Sequence, residues 1–110
     1  MSKKPHNKNC PVGTTLKIIG GKWKILILYS LATETRRFNE IRRIIPDITQ
    51  RMLTTQLREL EADKIITRKI YAEIPPKVEY SLTRIGKNLK PILLQLEKWG
   101  ICYLKNITSS

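Results

Sequence analysis

Pro46 constrains this chain more than any other residue. It follows "FNEIRRII", where Ile41, Ile44 and Ile45 recur at the spacing of one helix face while Glu40, Arg42 and Arg43 fall outside it. The residue before a proline is pushed out of the helical region, so a helix must end here. Shortly afterwards Thr49 can cap a new helix whose apolar face is Leu53, Leu57 and Leu60. Two helices joined by so short a turn cross steeply, which is the helix-turn-helix arrangement. Asn39 is the expected cap of the first of the two, and the second is expected from about Thr49 to Asp63.

The flanking segments fit around that pair. "PVGTTLKIIGGK" predicts a short helix stopped by Gly20 and Gly21, a pair suited to a C-cap because glycine accepts the left-handed conformation. The apolar run Ile25 to Tyr29 suits a buried strand or a buried helix. The lack of a turn residue from Lys22 to about Thr33 favours the helix, with Trp23 and Tyr29 in the core. After Asp63 the period changes. β-branched and aromatic residues fill 65–72 and 78–82 around the turn "EIPPK", predicting a two-stranded hairpin with Val78, Tyr80 and Leu82 inward. Such a hairpin is marginal alone and must pack on the helices. Thr83 can cap a long last helix with a wide apolar stripe, kinked or restarted at Pro91. The fold class is therefore mainly α with a small β-hairpin wing. Residues 1–10 are expected to be a flexible basic arm and 11–108 a single domain.

Charge narrows the function. The chain carries 21 Lys and Arg against 9 Asp and Glu, a formal charge of +12 on 110 residues. Self-repulsion on that scale points to a polyanionic partner. The helix after Thr49 is polarised: Gln50, Arg51, Thr54, Thr55 and Arg58 come first, and the acids Glu59, Glu61 and Asp63 come last. The dipole of a helix favours acids in the first turn, so their absence there wants a reason. A helix that enters the major groove with its N-terminal residues supplies one, since carboxylates there would meet phosphates.

Other classes find little support. No paired carboxylates, Ser-His-Asp set or metal spacing stands out, which argues against an enzyme. "GGK" lacks the spacing of a phosphate loop, and no cofactor is expected. His6 is the single histidine, and Cys10 and Cys102 are too far apart in sequence for a zinc motif. No apolar segment reaches the roughly 18–20 residues of a membrane span. "MSKKPHNKNC" lacks the apolar stretch of a secretory signal, so a cytoplasmic protein is expected. The main alternative to duplex DNA is a basic RNA-binding or ribosome-associated protein. It fits less well, because RNA readers display stacking aromatics and the aromatics here fall at core or helix-seam positions.

The segments "CPVGTTLKIIGGKWKILIL", "RRFNEIRRIIPDITQRMLTTQLRELEADKII", "PPKVEYSLTRIGKNL" and "LEKWG", in this order, resemble the HxlR-type winged helix-turn-helix transcriptional regulators. Glu34 stands where the family has a small turn residue, and Lys64 where it usually has glycine. The resemblance implies a homodimeric, sequence-specific regulator of double-stranded DNA, expected to be a repressor, with its recognition helix starting near Thr49. Thr49, Gln50, Arg51, Thr54, Thr55 and Arg58 are then the groove residues. Arg68 and Lys77 on the wing face flanking phosphates, with Lys77 expected at the wing tip. The first and last helices would build the dimer, with Leu16, Ile92, Leu96, Trp99 and Tyr103 along the seam. Several such regulators have a cysteine before the first helix that senses oxidants or electrophiles. Cys10 is similarly placed, near Lys3, Lys4 and Lys8, the electropositive setting in which reactive cysteines are found. Cys102 of a partner chain could resolve it as a disulfide.

Overall fold

The computed structural model describes residues 10–109; residues 1–9 of the expected arm, with its lysines, lie outside them. Six helices and one hairpin follow in the order α1 (Pro11–Ile19), α2 (Lys22–Leu31), α3 (Phe38–Ile44), α4 (Gln50–Ala62), β1 (Ile66–Tyr71), β2 (Lys77–Leu82), α5 (Arg84–Lys87) and α6 (Lys90–Ser109). Among the described residues no helix is long and apolar enough to cross a membrane.

One core joins these elements except α5, α1's outer turns and the far part of α6. Ile27 and Leu28 of α2, Ile41 of α3, and Leu53, Leu57 and Leu60 of α4 are fully or almost fully buried together with Ile48 and Ile66. The segment "KWKILILYSL" is thus helix, its Lys22 to Leu31 span lacking any breaker. Thr49 caps α4 as its position suggests, its hydroxyl accepting a hydrogen bond from the Met52 N–H at 3.1 Å. The turn between α3 and α4 is closed over the core by Ile45 and Ile48.

The wing is an antiparallel pair in which Ile66 faces Leu82 and Tyr71 faces Lys77. Leu82 is buried and Tyr80 packs on the core, while Val78 is half-buried, so the inward alternation is strongest at the base. A third backbone segment, invisible in the sequence, steadies the hairpin. Arg36 and Tyr80 exchange N–H to O=C hydrogen bonds of 3.0 and 2.8 Å. That isolated bridge ties the wing to the turn before α3, which a free hairpin needs.

Several local expectations are corrected. Gly20 is extended, and the positive φ of 89° belongs to Gly21, which starts α2 and does not end α1. Gly20 is required for a different reason: a Cβ there would lie 2.1 Å from the Leu16 carbonyl oxygen. Arg37, not Asn39, occupies the N-cap of α3, because the Glu40 carboxylate reaches back to accept from the Arg37 N–H at 2.7 Å. Ile44 is 46% exposed and leaves the apolar face to Ile41 and Ile45. Tyr29 is 41% exposed, its hydroxyl donating to Glu97 on α6, a bond that raises the Tyr29 pKa above its ordinary value. The last helix, expected to kink or restart at Pro91, does restart there and is two helices. Thr83 does cap, accepting from the Gly86 N–H at 3.1 Å, but α5 ends after one turn and α6 restarts with Pro91 in its first turn.

Lys64 holds a left-handed φ of 64° immediately after α4. Its side chain is exposed, so nothing repays the Cβ clash that an L-residue meets in that region. Lys64→Gly should therefore stabilise the fold by about 0.5–1 kcal/mol, the relief being partly offset by glycine's greater unfolded-state freedom. Urea unfolding of both proteins checks this; an unchanged or lower midpoint would contradict it.

Candidate nucleic-acid interface

Burying Leu53, Leu57 and Leu60 dictates what α4 shows to solvent. Gln50, Arg51, Thr55 and Arg58 are exposed on the opposite side, and Thr54 is half-buried. Two of the polar groups are engaged within the helix: the Thr49 hydroxyl in the cap, and the Thr54 hydroxyl, which donates to the Gln50 carbonyl at 2.8 Å. The arginines are the long reach of this face. Arg51 makes no ion pair among the described residues, and neither does Arg58.

Thr54 and Arg58 meet Arg68 of the wing around a depression of about 200 Å³, floored by Phe38, Leu57 and Tyr80. Burial raises the Tyr80 pKa, with Arg68 and Arg58 opposing and Glu61 adding to the shift, so its hydroxyl stays protonated well above neutrality. Arg68 Nε lies 3.6 Å from Glu61 Oε1. Lys77 is the first residue of β2, next to the tip rather than on it. Its ammonium lies 3.4 Å from Glu79 and 4.9 Å from the centroid of the Tyr71 ring, which Lys69 also approaches at 4.9 Å. A hydrogen bond from Tyr71, reinforced by Lys77 and Arg37, holds the Glu79 carboxyl below its usual range.

Two features escape sequence reading. The first is Lys24, buried in α2 with its ammonium 2.7 Å from Glu59 Oε1 on α4. A buried cation needs its partner. Glu59 therefore has a structural task, as Glu61 has beside Arg68, and part of the acid clustering late in α4 is internal pairing. Only the run of charge inside "KWKILIL" hints at it. The second is Arg37 and Arg43 of the α3 region, which flank a depression reaching Pro76 and Val78 of the wing. "RRFNEIRR" displays these cations, but their approach to the wing follows from the Arg36–Tyr80 bridge.

A conserved-family model described as HxlR-like helix-turn-helix matches residues 18–108, nearly all of this architecture. The chain belongs to the HxlR-like helix-turn-helix family. Among its relatives is the HTH-type transcriptional regulator YybR of Bacillus subtilis, 58% identical over 96 residues that span 87% of this chain and 77% of YybR. The redox regulator HypR is similar in both of its states. Its oxidised form aligns with a TM-score of 0.82 at 59% identity, over 84% of this chain and 96% of HypR. Its reduced form aligns at 0.84 and 55%, over 91% and 99%. The reduced regulator YodB of B. subtilis aligns at 0.72 and 36%, over 82% of this chain and 89% of YodB.

Within this HxlR-like chain both cysteines are free thiols. Cys10 is half-buried at the N-cap of α1, with its Sγ close over Gly13, where an added Cβ would stand 3.9 Å away. Cys102 is exposed on α6, and its sulfur receives a 3.7 Å contact from the Asn106 amide. Of the expected seam, Leu16, Ile92, Leu96, Trp99 and Tyr103 are all exposed on the single chain. Trp99 and Tyr103 stack on each other, with centroids 5.3 Å apart and planes at 13°. Among the described residues no group of three His, Cys, Asp or Glu could hold a metal ion.

Proposed function

We propose that this chain is a homodimeric, sequence-specific regulator of transcription that represses by occupying double-stranded DNA. Residues 11–108 carry both reading and dimerisation, and the protein works in the cytoplasm. The observation that carries the reading is the outward face of α4. Gln50, Arg51, Thr55 and Arg58 stand clear of the core with no acid in the first turn, beside Arg68 at the base of the wing. In that arrangement the start of α4 enters the major groove. Arg51 has donors to spare for a guanine edge. Thr49 and Thr54 orient the helix and contribute backbone or methyl contacts, while Arg68, Lys77, Arg37 and Arg43 face phosphates. Membership of the HxlR-like family supports the same reading.

Binding of this kind releases counterions. With about six phosphate contacts per dimer the log–log salt slope is expected near −5, at roughly −0.9 per contact. Titrating a genomic duplex and a single-stranded RNA of equal length across a salt series separates the classes. The expected outcome is a steep slope with preferred binding of one duplex sequence. Equal affinity for RNA, or a flat salt response, would overturn the reading.

The proposal includes a redox input through Cys10. It is supported by the position of Cys10 at the start of α1 and by the similarity to HypR, a redox regulator. An oxidant such as diamide takes two electrons and two protons from two thiols and leaves a disulfide. Cys10 of one chain and Cys102 of its partner are the pair available. The bond forms where α1 meets the dimer seam, so it turns the two reading heads relative to each other and leaves α4 intact. Wild type should lose operator affinity on diamide treatment and regain it with dithiothreitol, while Cys10→Ser should be insensitive. Equal release by both proteins, or by neither, would return Cys10 to a packing role.

A further inference from the structure

We infer that the cavity between α2, α3 and the start of α6 is a binding site for a small amphipathic carboxylate with an aryl or medium-chain alkyl body. The cavity has a volume of about 410 Å³ and is walled mainly by Tyr29, Ile44, Leu93 and Leu94. That is the size range of small-molecule sites, which are apolar with few polar groups at defined points. Lys90 stands at its edge. The same lysine, with Ala32 and Thr33, also borders a second depression of about 310 Å³ whose walls are polar and include Lys87. An apolar chamber thus opens beside a cationic vestibule, and Lys90 marks the boundary.

On the cavity wall the charges leave one receptor for an anion, Lys90, with Lys87 beyond it in the vestibule. Arg36, the other cation on the cavity wall, is already used: its Nε donates to the Ser30 carbonyl and its Nη2 lies 3.8 Å from Glu34. Lys90 makes no ion pair among the described residues. Glu34, the one acid bordering the vestibule, is drawn toward Arg36. A carboxylate at Lys90 would gain a charge-assisted hydrogen bond, and its apolar body would cover Ile44 and Leu94, which are 46% and 52% exposed. A neutral apolar ligand would forgo the first gain, and an inorganic anion the second.

The site lies beside the proposed dimer seam on a different face of α6, with Tyr29 and Leu93 also bordering a cleft that reaches Leu96. Lys90 stands three and four residues before Leu93 and Leu94, which puts the three on one side of α6, while Ile92, Leu96, Trp99 and Tyr103 succeed one another at three- and four-residue spacing on another. It also spans two functional parts. Ile44 ends α3, just before the turn into α4, and Leu94 belongs to the dimer helix. A ligand holding both favours one arrangement of reading head against dimer helix, so ligand and DNA must alter each other's affinity. That consequence rests on the regulator reading above; ligand binding itself does not.

The test uses the full chain without DNA and three probes, benzoate, 4-phenylbutyrate and octanoate, each beside its primary amide. Amide-proton shifts and calorimetry report binding. At least one carboxylate should saturate below millimolar concentration, with shifts centred on Ile44, Leu93 and Leu94. Lys90→Met should weaken it about tenfold or more and bring it level with its amide, while Lys90→Arg should retain it. No binding by any carboxylate, shifts centred elsewhere, or equal binding by Lys90→Met would overturn the site. Closure of the cavity by a second copy of the chain would show as the first of these. With a binder in hand, operator affinity should change at least threefold. An unchanged affinity would overturn the coupling, and a protein that binds ligand but no duplex would instead fail the regulator reading.

Discussion

Trp99→Ala should raise the dissociation constant of the dimer by two orders of magnitude or more. In the single chain Trp99 is 67% exposed, and Ile92, Leu96 and Tyr103 on the same face are each close to half exposed. α6 is 20 residues long, about 30 Å of helix, and among its described side chains only Leu93 is fully buried. Val12 and Leu16 of α1 are 68% and 62% exposed. Apolar surface on this scale marks an interaction site, and the partner we propose for it is a second copy presenting the same two helices with two-fold symmetry. Truncating a fully buried tryptophan costs about 3–5 kcal/mol, and each 1.4 kcal/mol is tenfold in affinity. Sedimentation equilibrium measures the shift directly. Operator affinity should fall with it, because a lone reading head loses the benefit of a tethered second one. A dimer constant within threefold of wild type would place the interface elsewhere.

Arg51→Ala should cost about 1–3 kcal/mol at the preferred operator and much less on unrelated duplex. Arg51 sits in the first turn of α4, exposed, with no carboxylate paired to it. Removing it takes nothing from the core, so thermal stability should stay near wild type. Lys77 provides the contrast. Its ammonium faces Glu79 and the Tyr71 ring, and Lys77→Ala should weaken all duplexes about equally. The readout is the ratio of specific to non-specific affinity at one salt concentration. A ratio unchanged by Arg51→Ala would mean that another residue reads the groove.

Most of the fold was legible because it is written in apolar spacing and in breakers. Leu53, Leu57 and Leu60 define one face, Pro46 ends α3, and Thr49 and Thr83 cap as their positions suggest. What escaped depends on contacts between segments distant in sequence. No local pattern tells that Glu59 answers Lys24 across 35 positions, or that Arg36 adds a backbone bridge to Tyr80. Capping failed at Asn39 because Glu40, one residue further on, could fold back to the Arg37 N–H and fix the helix start earlier. Tyr29 and Ile44 read as core from periodicity, yet both border a cavity whose existence depends on where α6 restarts after Asn88. The outward face of α4 was legible for the opposite reason: it is what remains once the leucines are buried. The late acids in that helix have a mixed origin, since Glu59 and Glu61 pair with Lys24 and Arg68 within the chain itself.

The central claim, that two copies of α4 read one duplex, is tested most directly by selecting binding sites from a pool of random duplexes with the reduced wild-type protein. The expected result is enrichment of a two-fold symmetric sequence whose half-site centres lie about 34 Å apart, one turn of DNA. Enrichment of an asymmetric single site, or of no sequence above the starting pool, would contradict it.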